Sequence, residues 1–114
     1  VESNEGEVGM LIKYYRCESE HVFIATLRGK MVGISRAREV KTKKGSYVYF
    51  YGAESFIRKI GVWKKLLEYR LNLFNGVKIK TVCIKPIERV FLSYNFVKVR
   101  ETKKYSYMER EALC

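Results

Sequence analysis

A chain of 114 residues, 47% apolar and 14% aromatic, makes one domain or part of one with a substantial core, which excludes intrinsic disorder. Lys and Arg total 23 against 12 acids, all Glu, so the net charge of +11 implies attraction to something anionic: nucleic acid, a phosphate-bearing cofactor or an acidic protein. One Pro and 8 Gly exclude collagen-like and linker-rich chains, and no apolar run approaches the ~20 residues of a membrane helix.

The first residues lack the charged, apolar, small-residue order of a signal peptide. Starting at Val1 rather than Met, the chain is expected to be processed or cut from a longer protein. Cys17, Cys83 and Cys114 show no Cys-x-x-Cys or Cys/His metal spacing, so no metal is expected. So sparse a set argues against a disulfide framework and for a reducing, cytoplasmic location. Cys83, in an apolar run, reads as a small buried hydrophobe.

Val1–Glu7 is polar and expected to fray. Val8–Cys17 reads as a short helix, because Met10, Leu11, Tyr14 and Tyr15 share a helical face; a strand is the alternative. Residues 1–20 are thus expected to be a partly flexible N-terminal segment before a single domain over 21–114. The lone His21 has no partner at metal-ligand spacing and reads as a strand-edge residue. Val22–Leu27, Met31–Val40 and Tyr47–Tyr51 are β-rich runs separated by Arg28-Gly29-Lys30 and by Lys41–Ser46, which predicts an antiparallel meander.

The period changes at Phe56. Phe56, Ile60, Trp63, Leu67, Leu71 and Phe74 recur at three and four, with Val62, Leu66, Tyr69 and Leu73 beside them. Lys59, Lys64, Lys65, Glu68 and Arg70 carry much of the polarity. A helix over Phe56–Phe74, stopped by Asn75-Gly76, follows. Val77–Ile84 alternates as a strand, Pro86 opens a short helix with Ile87, Val90, Phe91 and Tyr94 as its apolar face, and Phe96–Arg100 and Tyr105–Glu109 close the chain as two strands. The result is an α/β (mixed-sheet α+β) fold: antiparallel three-strand meander, helix, strand, helix, two closing strands.

No Ser/His/Asp or Cys/His constellation, P-loop or Gly-x-Gly-x-x-Gly is present. The informative stretch is Arg58-Lys59-Ile60-Gly61-Val62-Trp63, where a strand hands over to the long helix. Unpaired N–H groups of a first helical turn, with the helix dipole, bind anions. A glycine there lets a phosphate approach the backbone. Read alone, the same stretch also fits a fraying helix start with surface Arg and Lys.

Taken in order, these elements resemble the GNAT acyltransferase superfamily, whose signature is Gln/Arg-x-x-Gly-x-Gly/Ala at the start of the helix after the central strand. Arg58 and Gly61 match it, and Leu66-Leu67 stand where the family has a Leu pair. ATLRGKMVGISRA resembles the family's strand–turn–strand, and LSYNFVKVRETKKYSYME its closing helix, Gly-Phe, strand, turn and Tyr-x-Met, with Asn95-Phe96 for Gly-Phe. The likeness runs from about His21 to Glu111.

The resemblance implies acetyl-CoA as co-substrate. Its pyrophosphate would rest on backbone N–H groups of Arg58, Lys59, Ile60, Gly61, Val62, Trp63 and Lys64. Its pantetheine arm would pass Gly52, Ala53 and Glu54. Lys59, Lys64 or Lys65 would meet the nucleotide phosphates. A primary amine, of a small molecule or a protein, would attack the thioester directly, with Glu54 as base, acting through water, and Glu39 as a weaker second.

Three positions depart from the pattern. Trp63 replaces the signature's last small residue, and it also falls on the helix's apolar stripe. Phe91 stands where the family often has a general-acid Tyr. Only about twenty residues precede the first hairpin, where the family has a strand and one or two helices that wall the acceptor site. The alternative is therefore a catalytically inactive GNAT-like domain used for protein binding or as part of a longer chain. A third reading, a basic nucleic-acid-binding domain, rests on Tyr47, Tyr49 and Tyr51 sharing one strand face; ordinary packing of these rings against a helix is the preferred expectation.

Overall fold

The computed structural model describes residues 9–56 and 61–113. Strands β1 (Met10–Cys17), β2 (Glu20–Leu27), β3 (Lys30–Thr42) and β4 (Gly45–Ser55) form an antiparallel meander. Helix α1 (Val62–Leu73) crosses over to β5 (Ile79–Ile84), which lies parallel to β4. A 3-10 turn at Lys85–Ile87, with Pro86 in it, leads into the short helix α2 (Glu88–Ser93). Strands β6 (Val97–Glu101) and β7 (Tyr105–Arg110) complete one sheet in the order β1-β2-β3-β4-β5-β7-β6. Among the described residues no helix is long and apolar enough to cross a membrane.

The helix expected over Val8–Cys17 is instead strand β1. Each residue from Met10 to Cys17 pairs with β2, and Met10 and Ile12 are buried while Lys13 is exposed. Pairing with an adjacent β-rich strand outweighs a local three-and-four spacing. Glu18 and Ser19 alone join β1 to β2. The strand expected before the hairpin is therefore present, and among the described residues no helix separates it from the hairpin.

His21 is not a strand-edge residue. It is 2% exposed, bonded to the Tyr14 hydroxyl at 2.5 Å and to Glu39 Oε2 at 2.7 Å. Glu39 also accepts from Arg16 at 3.1 Å. The hydrogen bond from His21, helped by the Arg16 charge, holds the Glu39 carboxyl below its ordinary value.

Helix α1 begins at Val62, later than Phe56. Strand β4 continues to Ser55, the Phe56 N–H donates to Val32 O at 2.8 Å, and Phe56 is exposed. Gly61, at φ 69°, sets the helix start in a left-handed conformation that glycine adopts without penalty. Val62, Leu66, Leu67 and Leu71 then pack with Phe23, Val48 and Phe50 in one core.

Both helices cover the same face of the sheet, since Trp63 meets Phe91 and Tyr94 bonds Glu68. Successive residues of a strand point to opposite faces. With Val48 and Phe50 turned to the helices, Tyr47, Tyr49 and Tyr51 lie on the other face. The expectation that these rings pack against a helix is corrected. Tyr49 and Tyr51 stack on one another, Lys80 sits over Tyr47 at 4.2 Å and Arg38 over Tyr51 at 5.2 Å.

Gly33 is where α1 comes closest to the sheet. A Cβ there would lie 2.3 Å from Val62 Cγ1 and 3.1 Å from both Leu66 Cδ1 and the Glu54 carbonyl oxygen. Gly33→Ala is expected to cost about 1–3 kcal/mol by forcing α1 outward. Urea denaturation checks this; an unchanged midpoint would show that α1 yields freely.

Candidate functional site

Parallel pairing of β4 with β5 spans only Val48↔Ile79, Tyr49↔Lys80 and Phe50↔Thr81. Thr81 Oγ1 donates to the Phe50 carbonyl at 2.9 Å where the ladder ends. Beyond it the strands part. On the β3 side, β4 carries an irregularity: Ile34 pairs with Glu54 and Arg36 with Tyr51, so Gly52 and Ala53 together oppose Ser35. Gly52 has φ 60°. Such a bulge bends the strand and re-aims the residues after it.

The parted strands enclose a cleft of about 440 Å³. Gly52, Ala53 and Glu54 line one side, Thr81–Ile84 the other, with Trp63 and Arg70 of α1 and Ile87 and Phe91 at the start of α2. The structure thus brings Ala53, Glu54 and Trp63 together. Gly61 and Lys64 are exposed at the start of the same helix. Val62 is 1% exposed, so its side chain belongs to the core and it offers a ligand only its backbone. Arg58, Lys59 and Ile60 lie outside the described residues.

The α1 start is bare. Among the described residues no side chain caps it, and its first turn holds no acidic residue. A Cβ built on Gly61 would meet nothing within 4 Å, so the indole of Trp63 does not fill the space at that glycine. The indole instead packs edge-to-face on Phe91, with centroids 5.7 Å apart, as part of the cleft wall. Among the described residues a diphosphate fits this helix start: open space at Gly61, the N–H groups of a first helical turn and no competing carboxylate.

Glu54 lines the cleft and is exposed, so a proton on it can exchange with water. Glu39 does not join it: it is held by His21 and Arg16 and, on β3, pairs with Val48 of β4. Phe91 is in the cleft wall, 4% exposed, without a hydroxyl. The Tyr94 hydroxyl donates to Glu68 at 2.9 Å in a separate cavity. The Cys83 thiol faces the cleft and burial raises its pKa, which keeps it protonated. Among the described residues no group of three His, Cys or Glu is placed to hold a metal.

Arg70 is the residue that sequence reasoning misses. It reads as part of the polar helix face, yet it is 1% exposed, and burial pushes its pKa down to about 9. The signal was its spacing: it follows Leu66 by four and Leu67 by three, inside the apolar stripe.

No sequence-family description and no curated protein matches the chain. Solved structures do match. An acyl-CoA N-acyltransferase from Pseudomonas aeruginosa is 19% identical, with 80% of this chain and 68% of that one covered, at a TM-score of 0.66. Naa50 of Arabidopsis thaliana, solved with the bisubstrate analogue CoA-Ac-MVNAL, is 18% identical over 79% and 72%, also at 0.66. A Desulfovibrio desulfuricans protein assigned to the GNAT family is 15% identical over 83% and 71%, at 0.67. The chain has the GNAT fold. At this level of identity the likeness concerns architecture.

Within this GNAT fold, α2 is pinned by charge. Lys98 reaches Glu88 at 3.2 Å and Glu101 at 2.8 Å, Ser106 donates to Glu88, and Lys85 bonds Glu101. Hydrogen bonds from Lys85 and Lys98 hold the Glu101 carboxyl at about 2, and the Ser106 hydroxyl and Lys98 lower that of Glu88. Depressed folded-state values stabilise the fold above the ordinary 4.5, and that contribution is lost as pH falls from there toward about 2. Urea melts between these pH values should therefore show falling stability, with a shallower fall in the Glu88→Gln/Glu101→Gln double variant. Parallel slopes for the two proteins would refute it.

Proposed function

We propose that the protein is an N-acyltransferase that takes an acetyl group from acetyl-CoA and delivers it to a primary amine by direct attack. One observation carries this reading: a helix start without a side-chain cap among the described residues borders the cleft where a bulged strand parts from its parallel neighbour. The CoA-based bisubstrate analogue bound to Naa50 of Arabidopsis thaliana supports the same ligand class for this fold.

In this reading the N–H groups of Gly61, Val62, Trp63 and Lys64 hold the diphosphate, joined by Arg58, Lys59 and Ile60. The Lys64 and Lys65 ammonium groups lie near it on the same helix. Beyond Phe50, the β5-facing backbone of β4, through Gly52 and Ala53, has no strand partner in the ladder and is free to bond an amide-bearing arm. Bound acetyl-CoA supplies a thioester carbonyl as the electrophile. Glu54 takes the proton from the attacking amine through a water, its carboxylate being open to solvent at the cleft. Trp63, Ile87 and Phe91 exclude bulk water from the inner wall. No tyrosine hydroxyl of α2 reaches the cleft, so the leaving thiolate takes its proton from water in this scheme. The basic surface favours acidic or neutral acceptors over polyamines.

A second reading keeps the fold and drops the chemistry. It is favoured by the packing of Trp63 on Phe91, two large rings where the family has a small residue and a tyrosine. A transfer assay separates the two.

Acetyl-CoA at about 100 times its Kd should stabilise the fold by about 2.7 kcal/mol, read as a rise in melting temperature. Gly61→Glu, which adds a carboxylate and a side chain at the left-handed position, should abolish that rise. A melting curve indifferent to millimolar acetyl-CoA counts against the assignment. Once an acceptor is in hand, Glu54→Gln should slow transfer by about 10²-fold or more at neutral pH; an unchanged rate removes Glu54 from the role.

A further inference from the structure

Arg70 is a cation with almost no exposure and no carboxylate partner among the described residues. Its Nη1 donates to the Arg36 carbonyl at 3.1 Å, its guanidinium carbon lies 4.4 Å from the centroid of the Phe50 ring, and its Nε has no hydrogen-bond partner. Burying an unpaired charge is costly, and an apolar side chain would fill this helix position without that cost. A guanidinium held there asks for an anion.

The cleft is the cavity that Arg70 borders. Arg70 and Glu54 are the charged residues lining the cleft among those described. They stand apart along it: Glu54 near the strand's end, Arg70 over Phe50, where β4 and β5 part. Eight residues separate Arg70 from Val62, which is ~12 Å along a helix axis. Because β4 and β5 are parallel, the crossover helix between them runs antiparallel to both. A ligand anchored by phosphates at the helix start and laid back along β4 would therefore have its far end near Arg70. Arg70 also lies on the same side of the sheet as that helix start.

We propose that the cleft selects an acyl donor whose acyl group ends in a carboxylate, with the Arg70 guanidinium as its counter-ion. This rests on the acyl-CoA reading above and replaces its acetyl group with a dicarboxylic acyl group as the preferred donor. A planar guanidinium suits a carboxylate.

Two stable thioethers test it by calorimetry: S-carboxymethyl-CoA and its amide isostere, S-carbamoylmethyl-CoA, which differ in charge and hardly in size. The acid should bind about tenfold tighter or better, the scale of one charged hydrogen bond. Arg70→Met should erase that preference. It should also melt at or above the wild-type temperature, because an unpaired buried charge is replaced by an apolar chain; Arg70→Lys, which keeps the charge, should retain part of the preference. Equal binding of acid and amide by the wild type would overturn the proposal and leave Arg70 as a cap on the Arg36 carbonyl. So would a preference that survives in Arg70→Met. If CoA and both thioethers fail to bind, the acyl-CoA reading itself falls; if CoA binds and the two thioethers are indistinguishable, that reading stands and this one alone fails.

Discussion

Three residue pairs hold β4 to β5, and the separation that follows them shapes the rest of the molecule. A parallel ladder that continued to Ser55 and Ile84 would close the cleft and leave α1 with nothing to border. It stops because Thr81 takes the Phe50 carbonyl and because Gly52 and Ala53 bulge against Ser35, turning the strand away. Backbone groups left without a ladder partner must find water or a ligand. Beside the same opening, and among the described residues, α1 starts without a side-chain cap. Strand separation and free backbone are thus linked consequences of one local defect in pairing.

The cleft combines this open backbone with a largely apolar wall. Trp63 and Phe91 narrow one side by packing on each other, while Phe50 supports the guanidinium of Arg70. Charge inside the cleft is confined, among the described residues, to Glu54 and Arg70. The many surface cations that make the net charge +11 therefore act at longer range, drawing anionic ligands toward the protein. Position within the cleft is set by the few groups that line it.

Layering is asymmetric. Both helices lie on one face, and the other face presents tyrosines and cations to solvent among the described residues. Those rings are half-buried by one another and by Lys80 and Arg38, with cation–π contacts in place of a covering helix. The joining of β1 to β2 by Glu18 and Ser19 leaves no connection long enough to carry a helix over that face.

The sequence alone determined the elements whose periodicity is local: the hairpins of the meander, the body of α1, strand β5, the Pro86 turn and the closing pair of strands. It also singled out Gly61 as an anion-binding position in an early helical turn, while running that helix from Phe56 rather than Val62. Only the tertiary structure decided what depends on distant partners. Residues 10–17 carry a helix-compatible spacing, and a neighbouring strand makes them β1. Phe56 fits the helical period, yet Val32 claims its N–H for the sheet. Glu39 was a candidate base until His21, eighteen residues away, bound it. Arg70 carries its charge by residue type alone; the packing of α1 on β3 and β4 buries it. Burial and pairing are sums over contacts between segments far apart in the chain, and a local pattern of residue types does not contain those sums.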